Sequence, residues 1–172
     1  MQFDLSKSIQ VLERTPAVLK ALLEGLPKDW TAPNEGPDTW SPYDVVGHLI
    51  HGEVTDWIPR AEIILSQSGT HFTPFDRFAQ FENSKGKNLQ QLLDEFAVLR
   101  SQNIAKLQSF NLTEEDLKLE GTHPALGSVT LKNLLATWTV HDLNHIVQIS
   151  RVMAKQYKEE VGVWTEYLAV LH

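Results

Sequence analysis

Four segments of the sequence repeat apolar side chains at the three- and four-residue spacing of an amphipathic α-helix. Proline and glycine recur in the shorter stretches between them, where turns are expected. An amphipathic helix must bury its apolar face against another element, and short connections favour antiparallel neighbours. The pattern therefore predicts an all-α fold, an antiparallel four-helix bundle, formed by a single domain over residues 1–172.

Capping residues and prolines define the ends of the predicted helices. The four helices run from about residue 4 to 26 with an interruption at Thr15 and Pro16, from Pro42 to about Ser66 with a kink at Pro59, from residue 88 to 110, and from Leu131 to near Gly162. The stretch LKLEGTHPALGSVT predicts a short hairpin-like excursion, and VWTEYLAVL predicts a short C-terminal helix. The aromatic-rich residues 68–87 are predicted to form a long loop.

The composition excludes several classes of protein. No apolar run approaches the roughly 20 residues of a membrane span, and charges recur in the N-terminal residues where a signal peptide is apolar, so we expect a cytoplasmic protein. A chain without cysteine forms no disulfide and offers no thiolate to a metal or a substrate. A net charge of −7 without a cluster of lysines and arginines disfavours nucleic acid and anionic membranes as partners.

Two histidines interrupt the apolar face of the fourth predicted helix. His141 and His145 are four residues apart, so they lie about 40° apart around the helix, on the side that also carries Trp138. Gln148 lies beside them. A lone buried histidine is usually satisfied by a backbone carbonyl, but this spacing also brings two rings over one metal ion. Both interpretations remain open from this helix alone.

A third histidine on the second predicted helix favours the metal site. His48 lies on the inward face with Val45, whereas His51, one turn later, leans toward the charged border. We therefore prefer His48 to His51 as the third ligand. One imidazole from one helix and two from another leave positions open for water, as in catalytic zinc sites.

Other polar residues near these positions have candidate roles. Asp142 and Asn144 flank the histidines and could orient a ring nitrogen. Glu53 and Asp56 are candidate general bases, although a surface or salt-bridged role is the stronger interpretation of both. Arg77, in the long loop, could bind a substrate carboxylate or could be a solvated loop charge.

The chain resembles the DinB-like (YfiT-like) superfamily of metal-dependent enzymes. The matching stretches are WSPYDVVGHL at the start of the second predicted helix, GTHPALGSVTLKNLLATW before the fourth and HDLNH within it. The resemblance implies a four-helix bundle, often a homodimer, with nickel or zinc held by His48, His141 and His145. It also implies a small-molecule substrate and, in some relatives, an external low-molecular-weight thiol.

Three functions remain as hypotheses. The first is a metal-dependent enzyme, either a hydrolase or an S-transferase that uses such a thiol. The second is a non-catalytic protein that binds a metal or a small ligand. The third is a dimerisation module whose histidines are hydrogen-bonded core residues. Turnover separates the first hypothesis from the second, and metal content separates the third from both.

Overall fold

The computed structural model describes all 172 residues and contains eight α-helices and one two-stranded sheet. The helices are α1 (Leu5–Leu12), α2 (Thr15–Leu23), α3 (Lys28–Thr31), α4 (Pro42–Thr55), α5 (Trp57–Ser66), α6 (Ala79–Ser84), α7 (Leu89–Ser109) and α8 (Leu131–Lys155), and the strands are β1 (Glu120–His123) and β2 (Gly127–Thr130). None of the helices combines the length and the apolar character that a membrane crossing requires.

The longer helices form a four-helix bundle, which confirms the predicted fold class. α1 with α2 forms the first arm and α4 with α5 forms the second, while α7 and α8 are continuous. α4 packs against α7 and α8, α1 and α5 pack against α8, and α2 packs against α7. The predicted hairpin is also present, because β1 and β2 pair antiparallel immediately before α8.

Three of the longer helices, α4, α7 and α8, begin with reciprocal side-chain caps. Ser41 accepts the backbone N–H of Asp44 while the Asp44 carboxylate accepts the N–H of Ser41, so α4 begins with a capping box. The same reciprocal arrangement begins α7 at Asn88 and α8 at Thr130. These local bonds fix where each helix starts, and therefore which of its side chains face the bundle.

The second predicted helix is divided in two at Asp56 rather than only kinked at Pro59. Proline has no N–H, and its ring clashes with the carbonyl of the residue four positions earlier, which is Thr55. α4 ends at that residue, and Asp56 has φ −107° and ψ −70° before α5 begins. The effect of Pro59 is therefore expressed four residues before it.

The predicted long loop, residues 68–87, contains a short helix and a strand-like contact. The Asp76 carboxylate accepts the N–H groups of Phe78 and Ala79, and α6 follows. Phe72 donates its N–H to the carbonyl of Thr122 in β1. The loop is thus pinned to the hairpin at one end and to α4 through α6 at the other.

The C-terminal region differs from the prediction in detail. α8 ends at Lys155, before Gly162, because the N–H groups of Gln156 and Tyr157 bond to carbonyls only three residues back. The predicted C-terminal helix is present as two 3₁₀ segments, Gly162–Tyr167 and Ala169–Leu171.

A polar layer divides the apolar core into two clusters. One cluster of 13 buried residues includes Trp57, Leu107 and Trp138, and another of 10 includes Leu49 and Ile149. α4, α7 and α8 also carry polar or ionisable side chains that are buried or half-buried, namely His48, Glu53, Arg100, His141, Asp142 and His145. All of these except His48 lie along their helices between apolar residues of the two clusters. Such a layer is costly in a bundle core unless its members are bonded or bind a ligand.

Candidate metal centre

The rings of His48, His141 and His145 meet at one point between α4 and α8. Nε2 of His141 lies 3.1 Å from Nε2 of His48 and 3.0 Å from Nε2 of His145. The potential ligand atoms of all three lie within 4.8 Å of one another. The structure therefore brings together the three histidines that the sequence predicted to share a site.

Gln148 fixes the orientation of His145. Its Oε1 atom lies 2.7 Å from Nδ1 of His145. The two residues are neighbours on the surface of α8 because they are three positions apart. An amide oxygen only accepts hydrogen bonds, so the ring carries its proton on Nδ1. Nε2 of His145 consequently presents a lone pair to the centre of the cluster.

The other two rings have unsatisfied nitrogen atoms. The Nδ1 atoms of His48 and His141 are buried without a hydrogen-bond partner, and their Nε2 atoms face one another. This differs from an ordinary core histidine, whose ring donates to a backbone carbonyl. Leaving a buried polar atom unpaired costs about 1–3 kcal/mol, so the cluster is unfavourable as a set of hydrogen bonds alone.

The surroundings keep the rings neutral. Burial, followed by the neighbouring charges of His145, His51 and Arg77, lowers the pKa of His48 to about 3. Burial, and then the charges of neighbouring histidines and of Arg100, lowers the pKa of His141 to about 2. Burial also lowers the pKa of His145, against the opposing effect of its bond to Gln148. Neutral imidazole is the form that binds a metal.

The distances suit a divalent cation. Imidazole nitrogens bind zinc at about 2.0–2.1 Å, so two of them in a tetrahedral site are about 3.3 Å apart. The two measured Nε2 separations, 3.0 and 3.1 Å, are close to that value. Three neutral nitrogens with no carboxylate or thiolate among them form a donor set that imidazole-binding transition metals accept.

Aromatic side chains surround the histidines. The rings of Trp40 and Phe75 have centroids 4.7 and 5.5 Å from that of His48, and Trp57 lies 5.1 Å from His141. Trp57 approaches because Gly52 has no side chain, and a Cβ there would lie 3.3 Å from the indole nitrogen. The space beside Gly52 is thus occupied by an indole, and the rings shield the cluster from bulk water.

His51 is buried but lies outside the cluster. Its ring packs against Phe75 at 4.8 Å, and no hydrogen bond or close nitrogen contact joins it to His141 or His145. The geometry therefore agrees with the preference for His48. Two other histidines lie in the loop and hairpin region, where His71 pairs with Thr122 through the backbone and His123 accepts two backbone N–H groups.

A buried ionic network lies beside the histidines. Arg100 of α7 donates to both oxygens of Asp142 and, at 2.8 and 3.1 Å, to one oxygen of Glu53. The indole of Trp138 donates to the same Glu53 oxygen at 3.2 Å, and Asn103 donates to the other at 3.0 Å. The side chains of Arg100, Glu53 and Asp142 are at most 2% exposed.

This network assigns structural roles to three residues, and for Glu53 it agrees with the salt-bridged interpretation that the sequence favoured. Glu53 is a salt-bridged carboxylate rather than a free general base, because the guanidinium, an indole and an amide occupy its oxygens. Asp142 orients no histidine ring by a hydrogen bond, because Arg100 binds both of its oxygens. Trp138 contacts Glu53 and stacks on Trp57 at 5.7 Å, so it supports the layer below the histidines.

The remaining predicted residues lie at the edge of the site or away from it. Asp56 forms an ion pair with Arg60 at 2.8 Å, and burial raises its pKa to about 6 despite that cation. Asn144 is exposed on the outer side of α8 and bonds to no histidine. Arg77 is exposed, 5.5 Å from the ring of Trp40. Neither Asp56 nor Asn144 reaches the cluster.

Sequence reasoning missed Arg100, Trp57 and Phe75. Arg100 occurs in a helix whose other charges are mostly exposed, and its partners are 47 and 42 residues away in sequence. The available signal is its position at the core face between Phe96 and Ile104, since a cation there requires a buried carboxylate.

Two large surface grooves lie away from the histidines. A groove of about 560 Å³ lies between α2 and α7, and one of about 570 Å³ lies between α1 and the end of α7. No histidine lines either groove. The chemistry of the side chains, rather than the size of a cavity, identifies the candidate site.

Comparisons with known proteins agree with this geometry. The sequence profile of the DinB superfamily matches residues 11–149. YfiT of Bacillus subtilis (strain 168) is 27% identical over 149 residues, which is 85% of this chain and 82% of YfiT. A solved structure of YfiT, described as a probable metal-dependent hydrolase with an unusual four-helix bundle topology, superposes with a TM-score of 0.74 at 27% identity, covering 92% of this chain and 87% of that one.

Proposed function

The chain belongs to the DinB superfamily, and from that premise we propose that it is a metal-dependent enzyme whose reaction takes place at His48, His141 and His145. The observation that carries the proposal is the convergence of one potential ligand atom from each of three histidines within 4.8 Å, with two ring nitrogens left without hydrogen-bond partners. The description of YfiT as a probable metal-dependent hydrolase supports the same reaction class.

We propose that the three histidines bind a divalent ion, either zinc or nickel. Three imidazoles would hold the ion, and Gln148 keeps the Nε2 lone pair of His145 directed at it. The buried position of the rings keeps them neutral without requiring high pH. When bound, such an ion lowers the pKa of a water or thiol ligand and polarises a substrate carbonyl.

The surrounding residues hold the rings. Trp40, Phe75 and Trp57 pack against the histidines in tilted or edge-on orientations. The Arg100 network ties α4, α7 and α8 together beside them, so the helices that carry the ligands keep their separation. Rigid support of this kind is what a site with three protein ligands and open positions requires.

We propose hydrolysis of a small-molecule substrate as the primary activity and transfer to an external low-molecular-weight thiol as the second candidate. Both need an open position next to three imidazoles, and the absence of cysteine means that any thiol must come from outside the chain. The proposed enzyme is tested by screening zinc- and nickel-loaded protein against ester, amide and epoxide substrates, with and without added thiols.

The control for that screen is His145→Ala, which removes one ligand and should abolish turnover. Turnover that requires the metal and is lost in this variant supports the proposal. Stoichiometric metal without turnover of any substrate would instead favour the non-catalytic binding protein. Activity that persists in His145→Ala would place the reaction elsewhere.

We also propose that the protein is a homodimer that pairs through α8. Val140, Leu143 and Val147 are 63%, 47% and 59% exposed on the outer side of that helix, spaced as one stripe. A second copy of the chain would cover this stripe.

Light scattering after gel filtration should give twice the chain mass for the wild-type protein, and Leu143→Lys should lower the measured mass toward that of the monomer. A monomeric wild-type protein would refute the dimer.

A further inference from the structure

Arg77 is a cation in contact with the rings that surround the histidines. Its guanidinium carbon lies 5.5 Å from the centroid of Trp40, and the Trp40 ring lies 4.7 Å from that of His48. The same indole ring therefore contacts both Arg77 and one of the proposed metal ligands.

Arg77 differs from every other arginine of the chain in having no partner for its N–H groups. Arg60, Arg100 and Arg151 each form an ion pair with a carboxylate, and Arg14 donates to a backbone carbonyl. Arg77 forms no ion pair and no hydrogen bond. Its neighbour in sequence, Asp76, directs one carboxylate oxygen to the N–H groups of Phe78 and Ala79 and forms no ion pair with Arg77.

Two aromatic rings hold the Arg77 side chain near the site. Its guanidinium carbon is 5.4 Å from the centroid of Phe78 and 5.5 Å from that of Trp40, both within the range of cation–π attraction. The guanidinium carries five N–H donors, and none of them has a hydrogen-bond partner within the protein. The side chain is thus restrained while its donors stay free, as a receptor for a planar anion requires.

We propose that Arg77 binds the carboxylate of a small substrate or cosubstrate whose reactive end lies at His48, His141 and His145. The inference rests on the proposed function, because it requires an open position at the metal. It adds a substrate class: ligands that carry a carboxylate a few bonds from the reacting atom. Arg77 contacts the ligand and not the reacting bond, so it is a binding residue.

The test compares two thiols that differ in one charge. Protein loaded with cobalt(II) is titrated with 3-mercaptopropionate and with its neutral amide, 3-mercaptopropionamide, and binding is followed by the thiolate-to-cobalt charge-transfer absorption. Thiolates are soft ligands that bind such metals directly. We expect the wild-type protein to bind the acid roughly tenfold more tightly than the amide, the size of effect typical of a charge-assisted hydrogen-bonded pair.

Variants assign the preference to one residue. Arg77→Gln should bring the ratio of the two affinities close to one while leaving cobalt binding unchanged, and Arg77→Lys should retain part of the preference. The matched control is Arg14→Gln, which removes an exposed arginine on the α1–α2 arm and should keep the wild-type ratio. Cobalt binding and helicity of each variant establish that it is folded.

The outcomes separate the two proposals. Equal affinity of the wild-type protein for both thiols, or an unchanged ratio in Arg77→Gln, would refute the role of Arg77 and leave the metal site intact. If neither thiol altered the cobalt spectrum of the wild-type protein, the role of Arg77 and transfer to an external thiol would both be refuted. Hydrolysis at the metal would then be decided by the turnover screen alone.

Discussion

The apoprotein should lose stability in mild acid because its histidines are buried in the neutral form. The pKa of His48 is lowered to about 3 and that of His141 to about 2, whereas an unfolded chain has the ordinary value of about 6.5. Below pH 6.5 the unfolded chain binds protons that the folded chain excludes. The free energy of unfolding therefore falls as the pH falls, and it continues to fall until the folded pKa is reached.

The magnitude follows from linkage. Once a histidine is fully protonated in the unfolded chain and still neutral in the folded protein, it lowers the free energy of unfolding by about 1.4 kcal/mol for each unit by which the pH falls. From pH 6 to pH 5, His48 and His141 together should remove about 2–3 kcal/mol. Asp56 acts in the opposite direction, because burial raises its pKa to about 6 and the folded state then gains a proton before the unfolded state does.

The assay isolates one histidine by comparison. Urea unfolding of chelator-treated protein is measured between pH 4.5 and 6 for the wild type and for His141→Leu, which has no titrating group at that position. Because Asp56 is common to both proteins, its contribution cancels. We expect the slope of the free energy of unfolding against pH to be smaller in the variant by about 1.4 kcal/mol per pH unit. Equal slopes would show that His141 titrates normally, and the reasoning from burial would fail.

Three further predictions concern stability and metal content. Arg100→Met should lower the free energy of unfolding by about 3–5 kcal/mol in urea titrations, because it leaves two buried carboxylates unpaired, whereas Lys118→Met at an exposed ion pair should leave it nearly unchanged. Chelation should lower the melting temperature and keep the helical circular dichroism signal, since the two apolar clusters remain; collapse of helicity would indicate a structural metal. His123→Ala should keep full metal content by elemental analysis, because that ring lies in the hairpin turn, and loss of metal would show that the site is larger than three histidines.

The bundle was predictable because its signals are local. Apolar periodicity identified the long helices, and caps such as Ser41 and Thr130 fixed where they begin. The start of α6 was missed because it depends on Asp76 capping within a segment whose polar and aromatic residues have no helical period. The second predicted helix is interrupted at Asp56 and not at Pro59, because the proline ring clashes with the carbonyl of Thr55, four residues earlier.

The candidate site was predictable where one helix face defines it. His141 and His145 share a face of α8, so their proximity follows from helical geometry alone. The partner of Glu53 and Asp142 could not be identified in this way, because Arg100 reaches both carboxylates only when three helices have packed. Hydrophobic periodicity predicts which residues share a helix face, but it does not predict tertiary contacts between residues that are distant in sequence.

The central claim is that His48, His141 and His145 hold one metal ion. Its most direct test is a zinc titration of untagged protein, followed by competition with a chromophoric chelator, in the wild type, His48→Ala and His51→Ala. The matched control is His51, which is equally buried on the same helix but lies outside the cluster. We expect one equivalent of zinc in the wild type and in His51→Ala, and loss of most binding in His48→Ala. Full binding in His48→Ala, or its loss only in His51→Ala, would contradict the assignment.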